Sequence, residues 1–319
     1  MAAKEGSKDM SIDVDEVATD GDVVLIVGSN KTKLRVHSLF LKTASKVLGA
    51  KAGTRTSEGQ DISKDDAQEV FLPEDDVGAM KTLCAVIHLR SHAASDAFTP
   101  SEVLKIAIAA DKYDCIVALR DASGHWLKPA ENGSIDDLKF LMAAAYLFDN
   151  ARAFKEITAA LILHHTDSYL ALAQGQVESL IPRKIFCMLK ERRSGTRLKL
   201  QQVLVNSAMY DSSDCRCGWA DEYAFAYMAL LEREILLPEN MLSQSIAHLM
   251  QRAEQMDGPT PPQKDFSCEQ AKGHRNEATQ EARRPLHRRS PGREHYSKPN
   301  VPDPAVVEGE MSFKIIRVF

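Results

Sequence analysis

Several residues in this chain carry reactive groups at suggestive spacings. Cys215-Arg216-Cys217 sets two thiols two positions apart. A cysteine–histidine zinc site draws on C-x₂-C pairs or on histidines at regular spacing. No second pair accompanies this one, so metal binding and a redox role both stay open for Cys215 and Cys217, and neither is assigned. His164 and His165 are neighbours on a helical stretch, where adjacent side chains point about 100° apart. They form no chelating face; two exposed histidines at the negative end of a helix is the simpler reading. His37, Asp22, Asp111 and Tyr113 are types used in acid–base chemistry, yet each has a structural role to fill. His37 is expected to bond nearby backbone, Asp22 to cap local amides, Tyr113 to pack its ring and satisfy its hydroxyl, and Asp111 to act as an acceptor.

Catalytic signatures are missing from the sequence. It has no G-x-S-x-G, no G-x-x-x-x-G-K-[ST], no G-x-G-x-x-G and no H-E-x-x-H. Gly28-Ser29-Asn30-Lys31-Thr32 resembles a phosphate loop only superficially, because it joins two strands and opens no helix. No catalytic, cofactor-binding or metal residue is assigned, no cofactor is expected, and the chain is read as a non-enzyme.

The elements that position these residues follow from pattern. Val23 to Val27 is a β-rich apolar run ended by Gly28-Ser29-Asn30, and Lys33 to His37 alternates behind it, which predicts a β-hairpin. A helix is expected from Ser38 to Ala50, a polar loop over 52–68 and a short strand from Glu69 to Leu72. Asp76 suits the start of a helix from Val77 to Leu89. Thr99-Pro100-Ser101-Glu102 is a capping box with proline at the first helical position, opening a helix expected to reach Leu119. Gly124 to Gly133 reads as a hinge. Beyond it, helices are expected at Ile135 to Phe148, Ala151 to Leu163, Leu170 to Leu180, Pro182 to Arg192, Leu198 to Met209, Glu222 to Leu236 and Pro238 to Met256. That makes residues 134–256 an all-α region.

The flanks differ in character. Residues 1–19 are polar and acidic, without the apolar run of a secretory signal, and are expected to be disordered. Eight prolines punctuate residues 257–319, which have too little apolar content to offset the entropy of ordering and are also expected to be disordered. The terminal Phe313 to Phe319 is strand-like but has no evident partner. Arg283, Arg284, Arg288 and Arg289 make the tail locally basic, a candidate nuclear-import signal or simply a solvated run.

Bulk properties limit the function further. The chain has 319 residues, a formal net charge of −5 and 44 % hydrophobic residues. Such a balance exerts no overall pull toward nucleic acid or anionic membrane. The apolar runs fall far short of the ~20 residues that span a bilayer. Six scattered cysteines read as reduced, several of them as small core hydrophobes. The expectation is a cytoplasmic or nuclear protein.

Four stretches in order resemble the BTB/POZ family. Gly21-Asp22-Val23-Val24-Leu25-Ile26-Val27-Gly28 is similar to its opening strand. Val36-His37-Ser38-Leu39-Phe40-Leu41 looks like its V-H-x-x-x-L signature, followed by Ser45-Lys46-Val47-Leu48. Val70-Phe71-Leu72-Pro73-Glu74-Asp75-Asp76 resembles its third strand and acidic turn, and Ala110-Asp111-Lys112-Tyr113 its A-D-K-Y. The helical region beyond, with Phe154, Ile181-Pro182 and Cys215/Cys217, resembles the C-terminal halves of fungal-type members. This resemblance implies an α+β domain over 20–125, a small sheet capped by helices, used for homodimerisation or docking of protein partners.

Leu39, Phe40, Val47 and Leu48 are the expected interface, and Asp22, His37, Asp111 and Tyr113 the structural signature. Some family members are substrate adaptors of cullin-based ubiquitin ligases. Here Thr56-Ser57-Glu58 lacks the aromatic that family adaptors often place before a glutamate, which counts against a cullin partner. Met80 and His88 replace a usual phenylalanine and tyrosine. A transcription regulator using the basic tail is the other alternative, without a helix-turn-helix or zinc-finger pattern to support it.

Overall fold

The computed structural model describes residues 14–53, 67–90, 97–130, 133–208 and 219–259. Thr56-Ser57-Glu58, Cys215, Cys217, the basic cluster Arg283, Arg284, Arg288 and Arg289, and the terminal 313–319 lie outside the described residues. The architecture is mixed α+β, a small sheet with helices forming most of the rest.

Four strands make the sheet: Val14–Glu16 (β1), Val23–Val27 (β2), Thr32–Val36 (β3) and Gln68–Leu72 (β4), in the order β1-β3-β2-β4. β2 and β3 pair antiparallel, with Val23 opposite Val36 and Val27 opposite Thr32. Gly28, at φ 72°, and Lys31, at φ 53°, let the chain reverse between them. β1 runs parallel to β3, and β4 parallel to β2. β1 falls inside the 1–19 stretch expected to be disordered. Three residues of composition Val-Asp-Glu show no period; backbone pairing with β3 makes the strand. Inward side chains of β2, β3 and β4 (Val23, Leu25, Val27, Leu34, Val36, Val70 and Leu72) form one wall of the core.

Helices close that wall. The helix expected over 38–50 is two, Ser38–Ala44 (α1) and Lys46–Lys51 (α2). Ser45 separates them in an extended conformation; its hydroxyl accepts the Leu48 N–H at 2.9 Å and donates to the Tyr113 carbonyl. Val77–Ile87 (α3) starts where Asp76 accepts the Ala79 N–H at 3.0 Å. It is buried nearly all round. Pro100–Lys112 (α4) opens with the expected Thr99/Glu102 capping box. α4 stops at Lys112 and not at Leu119, because Asp114 turns to φ 49°. A 3₁₀ turn, Ile116–Leu119, and Arg120–Trp126 (α5) follow. Gly124, read as the start of a hinge, is helical within α5.

Ile135–Leu147 (α6), capped by Ser134 and Asp137 as expected, packs along α4. The first compact unit, which runs to Thr158 and includes Gly175–Ile181, therefore extends past the boundary expected at 125.

The second unit comprises Ala159–Gln174 and the described residues from Pro182. The remaining helices are Ala151–His164 (α7), Gln176–Leu180 (α8), Arg183–Ala208 (α9), Trp219–Arg233 (α10), Pro238–Met241 (α11) and Ile246–Gln255 (α12). Three expectations change here. A 3₁₀ turn, Tyr169–Ala171, and α8 replace the helix 170–180, since Gly175 takes φ 64°. The pair 182–192 and 198–209 is one helix, α9. Gly195 remains inside it, at about 1 kcal/mol relative to alanine. The helix 238–256 is split, because Ser245 accepts the His248 N–H and starts α12 afresh. Leu204, Tyr227, Leu231, Met241 and Leu249 centre the second core.

Candidate docking surface

His37, the last residue before α1, carries the junction between sheet and helix. Its backbone N–H donates to His88 Nε2 at 2.9 Å, and its own Nε2 lies 3.1 Å from Asp20 Oδ1. His88 Nδ1 sits 2.7 Å from the Cys84 carbonyl, so the ring donates there and accepts from His37. That arrangement fits the neutral ring, and burial holds the His88 pKa below its ordinary value. Asp22 takes the Ser38 N–H at 2.7 Å and the Ser38 hydroxyl at 2.6 Å. Burial pushes its carboxyl up, but the bonds from Ser38 outweigh burial and hold it below the usual range. The proton donors and acceptors of this cluster are thus spent on fixing the start of α1. Ser38 gives its proton to a carboxylate and has no imidazole aimed at it, which is no nucleophile–base pair.

Tyr113 fixes the other side. Its hydroxyl donates to Asp75 Oδ2 at 2.6 Å, while Lys112 Nζ holds Asp75 Oδ1 at 2.7 Å. Its carbonyl takes the Ser45 hydroxyl between α1 and α2. Asp111 is exposed, and its backbone carbonyl accepts the Asp114 N–H at 3.1 Å. The four signature residues therefore do not meet at one point. Asp22 and His37 set the entry to α1, Tyr113 sets its exit, and Asp111 closes the end of α4.

What these braces present is an outward face on α1 and α2. Leu39 is 70 % exposed and Val47 37 % exposed, with Lys42, Thr43 and Lys46 exposed around them. Phe40 is half-buried, its ring 4.9 Å from that of His88. Leu48 is only 1 % exposed, so its place in the expected interface is corrected: it points into the core beneath α2. Helical spacing accounts for this: Leu48 stands seven residues, two turns, after the buried Leu41, and the break at Ser45 leaves it on that side.

Sequence reasoning missed three contributors. In the sequence His88 only replaces a usual tyrosine of the resemblance, while in the structure it joins a residue 51 positions away. Asp75 was seen as part of an acidic turn, with no sign that it would hold Tyr113. Phe71 is 62 % exposed on β4 although its run reads as uniformly apolar. Strand alternation beside Glu69 was the available signal for Phe71; no local signal marks the other two.

Elsewhere in the first unit a cleft of about 510 Å³ lies over α3 and α4, lined by Thr82, Ala85, Phe98 and Ile106. The ion pair Lys105–Asp76, at 2.9 Å, crosses its lining. Cys84 and Cys115 are buried thiols, both pushed up to about 12 by burial. Among the described residues no three His, Cys, Asp or Glu side chains gather as a metal site, and no helix is long and apolar enough to cross a membrane. No protein-family model matches the chain. No curated protein and no solved structure matches it either.

Proposed function

We propose that the first unit is a BTB/POZ-type interaction domain that self-associates or docks a protein partner through the outward face of α1 and α2. One observation carries this reading: Leu39 and Val47 stand exposed on two short helices whose ends are held by buried polar bonds. A rigid scaffold presenting exposed apolar side chains is what a docking surface needs. Asp22, His37, His88 and Tyr113 are engaged in that scaffold, which supports a non-enzymatic role for the first unit. Apolar burial at ~25 cal/mol per Å² would drive association, before the cost of ordering two bodies.

Co-purification of two differently tagged copies of the full chain tests the proposal. The wild-type pair is expected to co-purify, and Leu39→Asp with Val47→Asp to reduce the amount recovered. Retention of the doubly substituted partner at wild-type level would contradict this face as the interface.

A further inference from the structure

β4 stands at one end of the sheet, and among the described residues no strand pairs with its outer edge. Its inner edge is bonded at alternate positions. Gln68 N–H donates to the Asp22 carbonyl at 3.0 Å, and the Leu72 carbonyl accepts the Gly28 N–H at 3.0 Å. In the observed parallel register, Gln68, Val70 and Leu72 turn their backbone groups toward β2. Glu69 and Phe71 then turn theirs away from it. Pro73 follows and has no N–H to extend the edge. The side chain of Phe71 stands 62 % exposed on the outer face, beside an Ile26 that is 6 % exposed. On the same face Lys33 reaches across β2 to Glu69 at 3.2 Å, so the edge carries little uncompensated charge.

We infer that β4 pairs edge to edge with β4 of a second copy of this chain. The five-residue strand is self-complementary about Val70. An antiparallel two-fold through Val70 sets Glu69 opposite Phe71 of the other copy, and Phe71 opposite its Glu69. Residues with outward backbone groups then face each other, and each opposed pair exchanges both of its hydrogen bonds. The two Phe71 rings fall on one diagonal of the outer face, within reach of aromatic side chains. The two Glu69 carboxylates take the other diagonal, each held by its own Lys33. Such a contact is isologous, and the sheet continues from one copy into the next. It is separate from the α1–α2 face, and both together would raise the assembly beyond a dimer.

Four full-length proteins test the pairing: wild type, Leu39→Asp/Val47→Asp, Phe71→Pro, and the triple variant. Proline at 71 removes an outward N–H and no bond to β2, a placement edge strands tolerate. Phe71→Glu, which keeps the N–H and sets a like charge directly opposite Glu69 of the other copy, serves where the proline variant loses its circular-dichroism signal. Light scattering over a concentration series gives the masses, and amide exchange reads the strand. Leu39→Asp/Val47→Asp is expected to remain associated through β4. Adding a change at Phe71 is expected to raise its dissociation constant at least about tenfold. Exchange at Glu69 and Phe71 should slow as concentration rises.

A monomeric Leu39→Asp/Val47→Asp protein would overturn the pairing while leaving the helix-face reading intact. Unchanged mass in both Phe71 variants would overturn it as well. If instead the Phe71 variants alone become monomers, the pairing stands and the helix-face reading fails. A wild-type monomer at every concentration would exclude a second copy as the occupant of this edge.

Discussion

His88 accepts from His37 at one ring nitrogen and donates to Cys84 from the other, an arrangement a charged imidazolium cannot keep. Burial lowers its pKa in the folded chain below the ordinary 6.5. A depressed histidine binds its proton more readily in the unfolded chain. Its contribution to stability is therefore present above 6.5 and is lost as pH falls through the lower folded value. Urea midpoints of the full chain should fall between about pH 7 and pH 5, and His88→Gln should flatten part of that slope. An unchanged slope in His88→Gln would show the ring to be immaterial.

Asp22 is the second residue of the brace. Hydrogen bonds to a charged group contribute about 1.5–3 kcal/mol, so Asp22→Ala should destabilise by about that amount in equilibrium unfolding. Ser38→Ala removes one of the two bonds and should cost less. Neither residue touches the exposed face directly, so any loss of association in these variants should follow loss of structure.

Elements show why part of this fold could be read from the sequence and part could not. The Thr99/Glu102 and Ser134/Asp137 boxes are local: three residues apart, they close the backbone amides of their own first turn, and both helices start where the pattern places them. The β2–β3 hairpin is likewise set by a short loop between apolar runs. Ser45 looked like one more position in a helix, since its tie to Tyr113 spans 68 residues. That tie splits α1 from α2, while Leu48, two helical turns after the buried Leu41, faces inward, so the candidate surface keeps Leu39 and Val47 and loses one member. Asp114 and Gly175 are types that accept positive φ, but both also occur inside helices, so residue type alone does not mark where the chain turns.

Gly175→Ala tests the turn at that glycine. No neighbouring atom would obstruct the added methyl, yet φ is 64°. With ψ at −137° this is a region essentially reserved for glycine, so alanine should destabilise by about 1–3 kcal/mol in urea unfolding.

In the second unit His164 is exposed as expected but His165 is buried against the Tyr169 ring, and Arg193 donates to the carbonyls of His165 and Asp167 at 2.9 and 2.8 Å, with its guanidinium 4.5 Å from the centre of that ring. Arg193→Ala should cost about 2 kcal/mol or more by orphaning these carbonyls. Both bonds leave one nitrogen, Nη1, which a lysine ammonium could replace, but lysine loses the flat group over the Tyr169 ring and should rescue only in part. Full rescue by lysine in thermal unfolding would contradict that geometry.

In the whole molecule, folding and association draw on different residues. The first unit draws its core from three inward strand faces and the helices that cover them, and Leu39 and Val47 contribute little to it. Surface changes away from such features are usually within about 0.5 kcal/mol. Leu39→Asp/Val47→Asp should therefore melt near the wild type while its behaviour in solution changes. The face became legible at this scale only once the two-helix arrangement was known. A helical period marks which residues share a side, and coordinates decide which side meets water.

The most direct test is the solution mass of the full chain by light scattering across a concentration series, beside Leu39→Asp/Val47→Asp with matched circular dichroism. Self-association through α1 and α2 predicts a wild-type mass that rises to at least twice that of a single chain, and a reproducibly lower mass for the folded double variant. Identical masses for the two folded proteins at every concentration would contradict it.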